Sequence, residues 1–112
     1  MAKYTAVLSA QNTSIKICDI DIRHDANDWY ATALLGGTFG TGTVSLQVSP
    51  DAGVTKFTIN QDGTATAASA TAAGALNIRL GNNNTNSNPL ELYASIATAV
   101  NPAITISVFD NR

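Results

Sequence analysis

The sequence predicts an all-β domain: an antiparallel β-sandwich, jelly-roll-like, with about eight or nine short strands. Three observations predict it. Several segments alternate apolar and polar residues with period two; turn signals recur roughly every 8–12 residues; and the polar residues are mostly Thr, Ser and Asn, which suit strands and turns.

Tyr4 to Ala10 reads as a mixed strand. In Ser14 to Ile22, Ile15 and Ile17 hold odd positions, whereas Cys18, Ile20 and Ile22 hold even ones. A regular strand would send the two groups to opposite faces, and a β-bulge near Ile17-Cys18 would return them to one. Trp29 to Leu35 is the next strand, and Gly36-Gly37, Gly40 and Gly42 mark a turn-rich connection. Val44 to Ser49 alternates without error, and Ser49-Pro50-Asp51-Ala52-Gly53 supplies Pro and Gly for a tight turn. Thr55 to Ile59 is a further strand, followed by Asp62-Gly63, a hairpin signal before a weaker strand over Thr64 to Ala68. From Thr64 to Ala75 the chain is nearly all Ala, Thr, Ser and Gly, an extended stretch or loop and the one place suited to a short helix. Leu76 to Leu80, Leu90 to Ile96 and Ile104 to Val108 alternate again, and Asn82 to Pro89, with no apolar residue, is an exposed loop.

The 112 residues make one domain, 1–112. Cys18 is the one cysteine, so an intramolecular disulfide is excluded, as suits a reducing compartment. Charged residues are 12% of the chain, against a usual share of about 25%. With a net charge of −2 and no basic cluster, the chain is a poor partner for nucleic acid or an anionic membrane. The N-terminal residues lack the apolar core of a signal peptide, and no apolar run approaches the roughly 20 residues that span a bilayer. A soluble protein is expected, and a surface of Thr, Ser, Asn and Ala suits packing against neighbours.

Catalytic constellations are weak. The one histidine, His24, lies among Asp19, Asp21, Asp25, Asn27 and Asp28. This oxygen-rich segment could hold calcium, but it lacks the spacing, glycine and closing glutamate of an EF-hand, and a solvated strand face with an acidic turn accounts for it. No serine sits in a Gly-x-Ser-x-Gly elbow. Gly36 to Gly42 is not followed by the lysine and helix of a phosphate loop. Glu91 has no second acid to form a glycosidase pair. No metal, cofactor or catalytic residue is therefore assigned, and an enzyme is not expected. Trp29, Tyr4, Tyr30 and Tyr93 are candidates for an exposed aromatic platform that would bind carbohydrate; each fits a core or a rim position equally, and Tyr93, out of phase with Leu90 and Leu92, is the one expected outside.

The run Gly37-Thr38-Phe39-Gly40-Thr41-Gly42-Thr43-Val44-Ser45-Leu46-Gln47-Val48-Ser49-Pro50-Asp51-Ala52-Gly53-Val54-Thr55-Lys56-Phe57 resembles a module of small tailed-bacteriophage structural proteins. There a glycine-rich turn leads into a Thr-Val-Ser-Leu-Gln-Val-Ser strand and a Ser-Pro-Asp-Gly-Gly turn, followed by an aromatic, usually Trp. Ala52 and Phe57 depart from that pattern. Ile104 to Val108 is similar to the final strand of such proteins. In size the chain is most like a capsid decoration (cement or staple) protein of epsilon15-type podophages.

The resemblance implies a virion role: a decoration protein on the outer shell that bridges neighbouring major capsid protein subunits, self-associates as a dimer or trimer at a symmetry axis, and has no catalytic residues. Expected contact residues are Lys3, Tyr4, Thr38, Phe39, Asn83, Asn84, Tyr93 and Arg112, in the terminal segments, the Gly36–Gly42 and Asn82–Asn88 loops and one outward strand position. The alternatives are a carbohydrate- or receptor-binding module on a head or tail fibre, and a tail or neck subunit.

Overall fold

In a computed structural model of the chain, the described residues are 3–9, 14–20, 29–80, 90–97 and 101–111. They form nine strands: β1 (Lys3–Leu8), β2 (Ser14–Ile20), β3 (Trp29–Thr38), β4 (Thr43–Ser49), β5 (Phe57–Thr58), β6 (Ser69–Ala70), β7 (Gly74–Leu80), β8 (Leu90–Ala97) and β9 (Ala103–Asp110). All pairings are antiparallel. One sheet has the order β1-β9-β3-β7; the other has β2-β8-β4-β5, with β6 also on β4. The pairs nest: β1 with β9, β2 with β8, β3 with β7, and β4 with β5 and β6. A long hairpin rolled up so that β9 also meets β3 and β8 also meets β4 gives this order, which is that of a jelly roll.

The alternation becomes burial. Leu76, Ile78, Ile104, Ile106 and Val108 face inward from the first sheet. Val44, Leu46, Leu92, Ala94 and Ile96 face them from the second. In β2 the pairing shifts between Lys16 and Cys18, which face Tyr93 and Leu92, so Ile17 is the extra residue. The bulge lets Ile15, Ile17, Cys18 and Ile20 all pack on the core, as the phase change predicts.

Burial, with the Asp110 and Asp19 carboxylates adding to it, pushes the Cys18 thiol up to about 12. The folded protein therefore holds this proton more tightly than the unfolded chain, whose thiol titrates near about 8.5. The stability gained is complete below that pH and is lost as pH rises toward the folded value. We expect Cys18 to react with a thiol reagent at about pH 8 only at the rate of unfolding, against rapid reaction in denaturant. Equal rates in the two conditions would contradict this burial.

Two expected elements differ. Thr55 to Ile59 shrinks to β5, and Thr64 to Ala68 is not a strand. Ile59 N–H donates to the Leu46 carbonyl (3.2 Å) and Leu46 N–H to the Ala68 carbonyl (2.9 Å), so β5 and β6 are two halves of one edge strand beside β4. An irregular hairpin interrupts it, joined at the Asn60–Ala67 bridge and turned at Asp62-Gly63, where Gly63 has φ +74°. The hairpin leans onto the other sheet, with Asp62 N–H donating to the Asn77 carbonyl (2.8 Å). The Ala/Thr stretch contains no helix: residues 71–73 form a bend and Gly74 opens β7.

The glycine-rich connection is tight. Gly40 and Thr41 have φ +59° and +63°, the signature of a type I′ turn, closed by Gly42 N–H donating to the Phe39 carbonyl (2.9 Å). At the other end of β4, the buried Ser49 Oγ accepts from Gly53 N–H (2.8 Å) and donates to Asp51 Oδ1 (2.9 Å), which also accepts from Thr55 N–H (2.7 Å). These bonds hold the Asp51 carboxyl below its ordinary range.

Candidate functional site: two unlike outer faces

The sandwich presents two outer faces of different chemistry. On the β2-β8-β4 side, Asp19 and Glu91 sit opposite each other, an unfavourable pairing of like charges. Lys16 lies between them, 2.7 Å from Asp19 Oδ1 and 2.9 Å from Glu91 Oε2, and these two bonds raise the Lys16 amine above its ordinary value. Tyr93 donates to Glu91 Oε1 (3.3 Å), and Lys56 lies over its ring (5.2 Å). Tyr93 is half-buried, and a side chain at Gly53 would strike its hydroxyl (2.8 Å). This face is charged, with Lys16 bridging its two carboxylates and Lys56 seated over an aromatic ring.

The outer face of β1-β9-β3-β7 is different. The register aligns Thr5, Ser107, Leu34 and Ala75 in one row across four strands, and Val7, Thr105 and Gly36 in the next. Neither row contains a charge. Val7 is 52% exposed and Leu34 is 45% exposed. Lys3 and Arg79 stand toward one end, each over the ring of its cross-strand neighbour, Phe109 (5.7 Å) and Tyr30 (4.6 Å).

The expected contact residues do not share one surface. The pairings of Lys3 with Phe109, Trp29 with Leu80 and Ala31 with Asp110 mark one end of the first sheet. Leu8 with Ile104 and Thr38 with Ala103 mark the opposite end. Lys3 and Tyr4 therefore lie far from Thr38, and Tyr93 belongs to the other sheet. Lys3 and Thr38 are exposed and Tyr4 is half-buried. Phe39 is a correction: at 7% exposure it is a core side chain, because the tight turn folds it inward beneath the sheets. Asn83, Asn84 and Arg112 lie outside the described residues, as do Asp21, His24, Asp25, Asn27 and Asp28 of the calcium reading. Among the described residues no group of three or more His, Cys, Asp or Glu side chains comes together.

The aromatic candidates divide between core and surface. Trp29 is fully buried, its Nε1–H donating to Asp110 Oδ2 (3.1 Å), so Tyr30, 40% exposed, stands without it. Val7 and Leu34 were not anticipated as contact residues. Their signal was present in the doublets Val7-Leu8 and Leu34-Leu35, since adjacent residues of a strand point to opposite faces and one of each pair must face outward.

In comparisons with known proteins, no family model, no curated protein and no solved structure matches this chain. The functional reading therefore rests on its own residues.

Proposed function

We propose that this protein decorates a bacteriophage capsid, docking through the outer face of β1-β9-β3-β7 across the boundary between neighbouring major capsid protein subunits. The observation that carries the reading is the contrast between the two faces: one carries two carboxylates bridged by Lys16, whereas the other exposes Val7 and Leu34 among small uncharged residues. Such a face loses little on leaving water and gains by burying its apolar groups. The module resemblance over Gly37 to Phe57 supplies the capsid.

Four strands about 4.8 Å apart and about 23 Å of strand make a face of roughly 440 Å², smaller than the about 800 Å² per partner of a standard interface. One such contact is weak. Two or three copies associated at a symmetry axis would hold two or three faces to the shell at once, and avidity would supply the rest. Binding only to the assembled lattice then stabilises it by mass action. The protein resides on the outer surface of the virion and performs no chemistry there.

The test adds purified protein to shells that lack it and follows co-sedimentation and shell melting. The wild type co-sediments and raises the melting temperature. Leu34→Asp, at an exposed position, costs the isolated domain about 1 kcal/mol or less and abolishes both effects. Wild-type protein that neither binds nor stabilises the shells would sink the proposal.

A further inference from the structure

An open groove of about 380 Å³ lies at the Lys3–Asp110 end of the β1-β9-β3-β7 outer face, beyond its two uncharged rows. Tyr30, Thr32, Asp62, Asn77, Phe109 and Asn111 line it. We infer that this groove is a carbohydrate site that takes a pyranose ring, with Tyr30 and Phe109 as its apolar walls and Asp62 and Asn77 as its hydroxyl-binding groups.

The lining has the composition that such a ligand needs. A pyranose presents C–H groups on one face and hydroxyls around its rim, so it needs an aromatic surface beside groups that accept and donate hydrogen bonds. Phe109, Thr32 and Asn77 form one row across β9, β3 and β7, and Tyr30 stands two residues along β3 from Thr32, in the adjacent outward row with Arg79. Asp62 is exposed and offers only acceptors, which suits adjacent sugar hydroxyls. Asn77 and Asn111 bring amides. The volume falls at the small end of ligand sites, which run from about 300 to 1,000 Å³.

The site is also built, because several bonds set its parts. Thr32 Oγ1 donates to Asn77 Oδ1 (2.8 Å), fixing the amide plane. Asn111 N–H donates to the Tyr30 carbonyl (3.1 Å), and Asn111 Oδ1 accepts from Tyr30 N–H (3.1 Å), joining the two residues at the groove's end. Arg79 packs against the Tyr30 ring and limits its rotation. Asp62 arrives from the other sheet, on the hairpin that interrupts the edge strand, held by its own N–H to the Asn77 carbonyl. Each part lies on a strand or is bonded to one, so little ordering remains for a ligand to impose.

Thr32 of the groove lies two residues, about 7 Å, along β3 from Leu34, so the groove falls within the face proposed to dock and is open to a sugar in protein free of shells.

Saturation-transfer NMR on the isolated protein, without capsids, tests the assignment with methyl pyranosides of glucose, galactose, mannose, rhamnose and N-acetylglucosamine at millimolar concentration. At least one should receive saturation, strongest at the ring C–H groups of one face. Tyr30→Ala and Asp62→Asn, both at exposed positions, should each weaken binding at least tenfold, while Tyr30→Phe retains it. Lys16→Ala, on the opposite face, should leave it unchanged. Melting curves of each variant separate loss of the site from loss of the fold. Silence from every pyranoside would overturn the assignment, as would binding that survives both Tyr30→Ala and Asp62→Asn in folded protein.

Discussion

Trp29→Ala should lower stability by about 3–5 kcal/mol, the cost of truncating a large buried aromatic. That is a large part of the roughly 5–15 kcal/mol that holds a domain of this size together. The melting temperature should fall by roughly 15–25 °C. Trp29 is the largest fully buried side chain, at the start of β3 on the inner face, and its indole N–H donates to the buried Asp110 of neighbouring β9. Removing the ring opens a cavity between the sheets and withdraws a donor from a carboxylate that is 2% exposed. Trp29→Phe keeps much of the ring volume and loses the donor, so its cost should be smaller, about 1–3 kcal/mol. Urea denaturation followed by circular dichroism measures both. A midpoint for Trp29→Ala within experimental error of the wild type would contradict the packing described.

Gly37→Val should be comparably damaging for a backbone reason. Gly37 has φ +113°, where side-chain-bearing residues rarely go, and a Cβ there would lie 2.1 Å from the Ala103 carbonyl oxygen. Gly37 pairs with Ile104 in the β3–β9 ladder, so relieving the clash means separating those strands where they enter the sheet. Strain of this kind costs of order 1–3 kcal/mol alone, and the steric conflict should raise the total to about 3–4 kcal/mol. Gly36→Ala is the matched control. Its added methyl would meet nothing within 4 Å, so the change should be small. Equal melting temperatures for Gly37→Val and Gly36→Ala would show that the close approach to Ala103 is not a constraint.

Those two residues also show how far the sequence could be read. Alternation at Val44 to Ser49, Leu76 to Leu80 and Ile104 to Val108 revealed strands and inner faces, because a half-buried sheet demands period two. The phase change at Ile17-Cys18 revealed a bulge for the same reason. Glycines at 36, 37, 40 and 42 announced a turn, but which of them was indispensable depended on Ala103, 66 residues beyond Gly37, and local spacing carries no such information. The edge strand split into β5 and β6 was hidden because its halves belong together only through β4. The candidate surfaces were less legible. Phe39, expected outside, lies inside, and Trp29, which the sequence leaves open between core and rim, lies inside too, since an aromatic at a strand end or turn packs whichever way the opposite sheet leaves room. The groove joins residues 30, 62, 77 and 109, from four separate parts of the chain, and only tertiary pairing brings them together.

The nesting of strand pairs bears on how the molecule is made. β9 lies between β1 and β3, so the first sheet cannot close until β9 has left the ribosome, and β1 waits for a partner separated from it by most of the chain. Such high contact order favours folding in milliseconds to seconds rather than microseconds. During synthesis β1 and β3 would expose unpaired edges, a hazard at high expression. Losing β9 should not merely trim the fold but divide the sheet into an isolated β1 and a β3–β7 pair. Closure of the first sheet is therefore committed by the ninth strand, which makes the last-synthesised strand of this domain the one on which the whole β1-β9-β3-β7 layer depends.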